Sequence, residues 1–209
     1  IRVGTPPSFG AVHLVPAIEA FLKAHPQVQV SLQLDDGRSD LIAENMDLSV
    51  RIAPRLRDSN QIAYRIAVVP QLLVATRTYL DTHGWPVRPR DLENHNCLVH
   101  SLKAPTGNWE FTDSNQRRQT VHVSGTFSAN LGEAILKLAR LHHGIAMHPR
   151  YMVDDDIRNG HLQVVLPDYR CQGLDISAIV QSKRYLPYKV RLFVDHLRAW
   201  FRQTQWTGD

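Results

Sequence analysis

The chain has 209 residues, enough for one large domain or two smaller lobes, and its 43% hydrophobic and 21% charged content is that of a globular protein. The net charge of +4 is modest, and the pairs Arg55/Arg57, Arg88/Arg90 and Arg117/Arg118 are scattered over loops, which excludes a dense basic face for nucleic acid within these residues. The longest nearly apolar run, "IAVVPQLLVA" (66–75), is broken by Pro and Gln and is too short to span a bilayer, so no membrane partner is expected. Two cysteines, Cys97 and Cys171, are too few for a disulfide scaffold and suit a reducing, cytoplasmic setting. The first residue is Ile and already fits a strand pattern, so we read the chain as part of a longer protein.

Three short β patterns come first: "IRVG" (1–4), "VQVSLQL" (28–34) and "DLSVRIA" (47–53). Between the first two, Ile18, Phe21 and Leu22 make the stripe of a helix that stops before Pro26, with Pro16 expected to break or kink it and to open its main part. "SDLIAEN" (39–45) reads as a second, short helix with Ser39 as its N-cap. Strand–helix–strand spacing of this kind predicts βαβ units in a parallel sheet, with ligands at the carboxyl ends of the strands. The loop after the first strand and "DDGRS" (35–39) then share one edge.

An extended run over 66–76 contains Pro70, which lacks a ladder donor and marks an edge or a passage between sheets. Turn-rich sequence over 82–96 leads to strands at 97–102, 108–111 and 119–129. A helix is predicted over 130–144, with Leu131, Ala134, Ile135, Leu138 and Leu141 as its apolar stripe, Asn130 and Glu133 as a capping box, and Gly144 at C′. "IAMHP" is a buried strand leading into a helix over 150–158, and "HLQVVL" (161–166) is one more strand. The end is a strand over 174–182 and a helix over 187–203 with a strong face of Val190, Phe193, Val194, Leu197, Trp200 and Phe201. The simplest arrangement makes one lobe of 1–69 plus 170–209 and a second of 70–169, joined by two extended crossovers with a small-molecule cleft between.

The order of these signals resembles the effector-binding domain of LysR-type transcriptional regulators. The resemblance is carried by "IRVGTPPSFGAVHLVPAIEAFLKAHPQVQVSLQL", "DDGRSDLIAENMDLSVRIA", "YLDTHGWPVRPRDLENHNCLVHS", "HVSGTFSANLGEAILKLARLHHGIAMHP" and "LPYKVRLFVDHL". It covers nearly the whole chain. It implies an α/β, type 2 periplasmic-binding-protein-like fold of two Rossmann-like lobes, a small-molecule effector in the cleft, and homodimers or tetramers. It also implies a winged helix-turn-helix upstream of this chain, through which promoter DNA would be bound.

Candidate contacts follow from the strand ends. Thr5, Ser8 and Phe9 lie where the first strand meets its helix. N-capping accounts for the hydroxyls there, and a ligand contact beside free helix N–H groups accounts for their position. The sheet-edge location favours the contact for Ser8. Arg38 and Ser39 lie in the second loop, where Arg38 can equally pair with Asp35 or Asp36. Arg51 needs a partner, for which Asp47 is a candidate. The resemblance places Ser101, Thr126, Phe127, Ser128 and Asn130 across the cleft. His148 stands where the family more often has an apolar residue.

Helix N-termini and arginines on one edge point to a small organic acid as effector. No catalytic residue, cofactor or metal is assigned. His95, Cys97 and His100 do not share one strand face, and no nucleophile elbow, Walker, zinc-protease or dinucleotide signature is present. A solute-binding protein of a transport system is the alternative reading.

Overall fold

In the computed structural model the described residues are 1–35, 45–54, 62–102, 104–180, 186–203 and 206. The chain divides into two compact units, Ile1–Val68 with Leu174–Asp209, and Val69–Gly173. Each is described by itself.

Unit 1 is built on a five-stranded sheet in the order β2-β1-β3-β13-β4. Its strands are β1 (Arg2–Thr5), β2 (Ser31–Leu34), β3 (Leu48–Ala53), β4 (Ile62–Val69) and, from the far end of the chain, β13 (Leu174–Val180). β1 runs parallel to β2 and β3, as βαβ spacing requires, whereas β13 is antiparallel to β3 and makes the sheet mixed. The helical run after β1 has three parts: α1 (Pro7–Phe9), a π-helical turn (Gly10–Leu14) and α2 (Val15–Ala24). Pro16 therefore sits in the first turn of α2 and opens the main helix, as expected, and the irregularity expected beside it is the π-helical turn just before α2. The Val15 N–H reaches back five residues to the Gly10 carbonyl, and this wider turn makes room for the proline ring, which would collide with the preceding turn of a regular α-helix.

α2 buries Ala17, Ile18 and Phe21. The last helix, α6 (Tyr188–Arg202), buries Val190, Phe193, Val194, Leu197 and Phe201, the face expected from its spacing, and Trp200 is left at its margin. Phe21 and Phe193 meet edge to face at 4.9 Å, and the Nε2 of His196 is 2.8 Å from the Ala17 carbonyl oxygen. Asp47, offered as a partner for Arg51, instead accepts the Arg2 backbone N–H at 2.7 Å. The expected helix over 39–45 lies outside the described residues.

Unit 2 holds a sheet in the order β11-β5-β10-β6-β9 and a three-stranded sheet β12-β7-β8. The strands are β5 (Gln71–Ala75), β6 (Cys97–His100), β7 (Asn108–Thr112), β8 (Arg118–His122), β9 (Ser128–Ala129), β10 (Ile145–Pro149), β11 (Gln163–Val165) and β12 (Arg170–Cys171). Pro70 stands between β4 of one sheet and β5 of another, the passage its missing N–H suggested. Helix α3 (Arg77–His83) was not foreseen; its cue is Thr76, whose Oγ1 accepts the Tyr79 N–H.

Helix α4 (Gly132–Arg140) is shorter than the predicted 130–144 and turned to another phase. It buries Gly132, Ile135, Leu136 and Ala139, while Leu131 and Leu141 flank its ends and are exposed. A Cβ on Gly132 would stand 3.2 Å from the Met152 methyl, so the glycine face lies closest to helix α5 (Arg150–Arg158). Leu131, not Asn130, is the N-cap, so Asn130 is out of register for a capping box. The left-handed residue after the helix is His142, at φ 61°. Gly144 is needed for another reason, because a Cβ there would lie 2.3 Å from the Asn96 carbonyl oxygen.

Phe193 is fully buried and links α6 to α2. Truncating it in F193A is expected to destabilise unit 1 by about 3–5 kcal/mol in chemical denaturation.

Candidate functional site

The structure sorts the candidate residues by unit. In unit 1, Thr5 ends β1 and is 3% exposed. Its carbonyl accepts the Asp35 N–H at 2.9 Å, and its Oγ1 is buried with no hydrogen-bond partner among the described residues. A buried hydroxyl without a partner is uncommon and costs free energy. Ser8 is half-buried in the first helical turn, and Pro6 and Pro7 lack N–H groups, so Ser8 and Phe9 carry the first amides of the helical run. The Phe9 side chain is not available as a contact. It is fully buried, with its ring centroid 5.5 Å from Phe201 of α6 and 5.9 Å from Trp206. Arg38 and Ser39 lie outside the described residues.

In unit 2, β6 and β9 run parallel in the register Val99↔Ser128 and His100↔Ala129. The Val99 N–H donates to the Phe127 carbonyl at 3.2 Å and the Ser101 N–H to the Ala129 carbonyl at 2.9 Å. This pairing brings the expected Ser101, Thr126, Phe127 and Ser128 to one strand end. Thr126, Phe127 and Ser128 line an open depression of about 340 Å³. Its other walls are Val99, the 105–107 turn and residues 122–125. Asn130 is exposed just beyond β9 and is not among the lining residues. His148 is buried within β10, paired with Leu72, and likewise does not line it.

The depression owes its shape to two glycines that spacing did not single out. Gly107 has φ +66°, and a Cβ on it would meet the Val123 carbonyl oxygen at 2.5 Å. A Cβ on Gly125 would lie 2.1 Å from the Cys97 carbonyl oxygen. The visible signal was the pair "PTGN" and "VSGT" flanking the β7–β8 hairpin. Chemically the wall offers hydroxyls from Thr106, Ser124, Thr126 and Ser128, together with the His122 imidazole, whose Nδ1 is 3.2 Å from Asn108 Oδ1. Such a wall can exchange hydrogen bonds with a small polar ligand.

The "HNCLVH" residues are used structurally. Cys97 is fully buried, and its thiol faces the Leu92 carbonyl at 3.7 Å. His95 Nδ1 is 3.3 Å from the Tyr79 hydroxyl. Burial and the nearby His83 hold its imidazole below the ordinary value, against the pull of Asp91.

Residues 1–202 match the family model described as the LysR substrate binding domain. The chain belongs to the LysR substrate binding domain family. Among its relatives are the HTH-type transcriptional activator TtdR of Escherichia coli K12, 34% identical over 204 residues and 97% of this chain, and the HTH-type transcriptional regulator PtxR of Pseudomonas aeruginosa, 33% identical over 199 residues and 95% of it. The chain spans 65% and 63% of those proteins' own lengths. The regulatory domain of CrgA from Neisseria meningitidis, a LysR-type transcriptional regulator, superposes with a TM-score of 0.80 at 25% identity over 95% of this chain and 97% of that one. The regulatory domain of AphB in Vibrio vulnificus gives 0.78 at 28% identity over 96% and 98%. The fold is therefore that of LysR regulatory domains, α/β and periplasmic-binding-protein-like. These relatives are regulators of transcription, not enzymes or transport proteins.

Burial pushes the Cys97 thiol up to about 12 from an ordinary 9.0. Iodoacetamide at neutral pH is expected to leave Cys97 unmodified in the folded protein and to modify it in denaturant, read by peptide mass. Because the folded value exceeds the unfolded one, the neutral thiol's contribution to stability is complete below pH 9 and is lost as pH rises toward 12.

Proposed function

We propose that this chain is the effector-sensing regulatory domain of a LysR-type transcriptional regulator. The whole protein would act in the cytoplasm as a homodimer or tetramer and reach promoter DNA through a separate helix-turn-helix domain. The observation that carries this reading is the family match over 1–202, joined to regulatory-domain neighbours that align along their whole length.

The effector is a small organic acid. Three features support this class. The Thr5 hydroxyl is buried at the end of β1 with no protein partner among the described residues, and a ligand oxygen would satisfy it. The Ser8 and Phe9 amides open the adjacent helical run, where a negative charge is favoured. In unit 2, taken by itself, the Thr126–Ser128 segment carries hydroxyls on a depression wide enough for a small polar ligand. The Ser101 N–H donates to the Ala129 carbonyl, which sets Ser101 beside that segment, and Asn130 follows the segment in sequence; we infer further polar contacts from both. Effector binding would act by favouring one arrangement of the regulator over another, by as much as its affinity differs between them.

A thermal-shift screen of small carboxylates and their neutral amides, run on wild type and Ser8→Ala, tests the effector class. Carboxylates are expected to raise the melting temperature of wild type, and S8A to lose most of that shift. An acid that stabilises both proteins equally, or hits confined to the amides, would overturn it.

A further inference from the structure

Asn96 does not line the depression, yet every polar group it has is engaged, each with a different segment of unit 2. Its backbone N–H donates to the Tyr79 hydroxyl of α3 at 3.0 Å. Its carbonyl accepts the Ile145 N–H at the start of β10 at 2.9 Å. Its Nδ2 donates to the His143 carbonyl, just past α4, at 2.5 Å. Its Oδ1 accepts the Thr126 N–H at 2.8 Å and stands 3.3 Å from the Thr126 hydroxyl. That hydroxyl is also 3.1 Å from His143 Nε2, which closes a ring of Asn96, Thr126 and His143.

The residue type follows from these partners. A carbonyl must be met by a donor and an N–H by an acceptor, and among side chains of this length only the asparagine amide supplies both. The neighbours are cut back to admit it. A Cβ on Gly125 would lie 2.7 Å from Asn96 Oδ1, and one on Gly144 would lie 2.3 Å from its carbonyl oxygen. Thr126 itself is exposed, so without Asn96 its amide would be left to water.

We propose that Asn96 is the positioning residue of the depression: it holds the 124–126 wall in a preformed shape and ties that wall to the end of α4. This rests on the reading of the depression as a ligand surface. A wall already held in place spares a ligand the entropy of ordering it, so Asn96 would set affinity through Thr126 without touching the ligand.

Hydrogen exchange without any ligand tests the tie itself. In wild type the Thr126 amide is expected to be protected by at least about tenfold, despite its exposure, because one side-chain acceptor covers it. In N96A that protection is expected to fall by about tenfold, while amides in β5 and β10 keep theirs. N96D retains an acceptor for Thr126 but turns its other oxygen on the His143 carbonyl. It is expected to lower the melting temperature and still keep Thr126 protected. An unprotected Thr126 amide in wild type overturns the proposal without any variant. So does an N96A in which β5 and β10 open as much as residues 124–128, since Asn96 would then serve the fold alone. Failure of the carboxylate screen would leave these results standing, and failure here would leave that screen standing.

Discussion

Strand β13 occupies the position on which unit 1 depends. It lies between β3 and β4, antiparallel to β3, in a register that runs from Asp175↔Ala53 to Ile179↔Ser49. All of its residues but Asp175 are buried. Without it β4, at the sheet edge, has no strand partner, and β3 keeps only its pairing with β1. The first sheet is therefore unfinished until the chain has passed through the whole of residues 69–173 and returned. α6, the next element of the unit, brings Phe193 onto Phe21.

Unit 2 solves a different problem, how to leave an open surface on a packed scaffold. Its depression is walled by turns and a two-residue strand, and such backbone wanders unless something holds it. Glycines at 107 and 125 let the backbone approach to distances that any side chain would forbid. Asn96 then supplies the hydrogen bonds that the turn cannot make to a neighbouring strand. The same pattern recurs at Gly144, whose missing side chain admits the Asn96 carbonyl. Shape here comes from close approach and side-chain amides, which is why the surface carries hydroxyls and still has a defined form.

The legible parts of the fold were those with a strong local signal. The α6 stripe kept its phase because five large apolar residues recur at helical spacing and little else competes. Pro70 marked the passage between sheets because a missing donor is intolerable inside a ladder. α4 was misphased because apolar residues ring much of it, and the choice fell to the glycine that lets Met152 approach. Phe9 read as part of a contact loop and proved to be core, since its neighbours Phe201 and Trp206 come from the far end of the chain. Asn96 and the two glycines were illegible as a set, because their partners lie far along the chain, as His143 does at 47 positions and Ile145 just beyond it.

The sequence by itself determined the family and the α/β class. Motif order and hydrophobic period are local properties that survive without knowledge of contacts. It also determined that hydroxyls cluster at the ends of β1 and β9. Tertiary structure alone decided which of those hydroxyls is buried without a partner, which aromatic turns into the core, and which amide holds the wall. Those outcomes depend on distances between segments remote in sequence, and burial and hydrogen bonding are settled only when such segments meet.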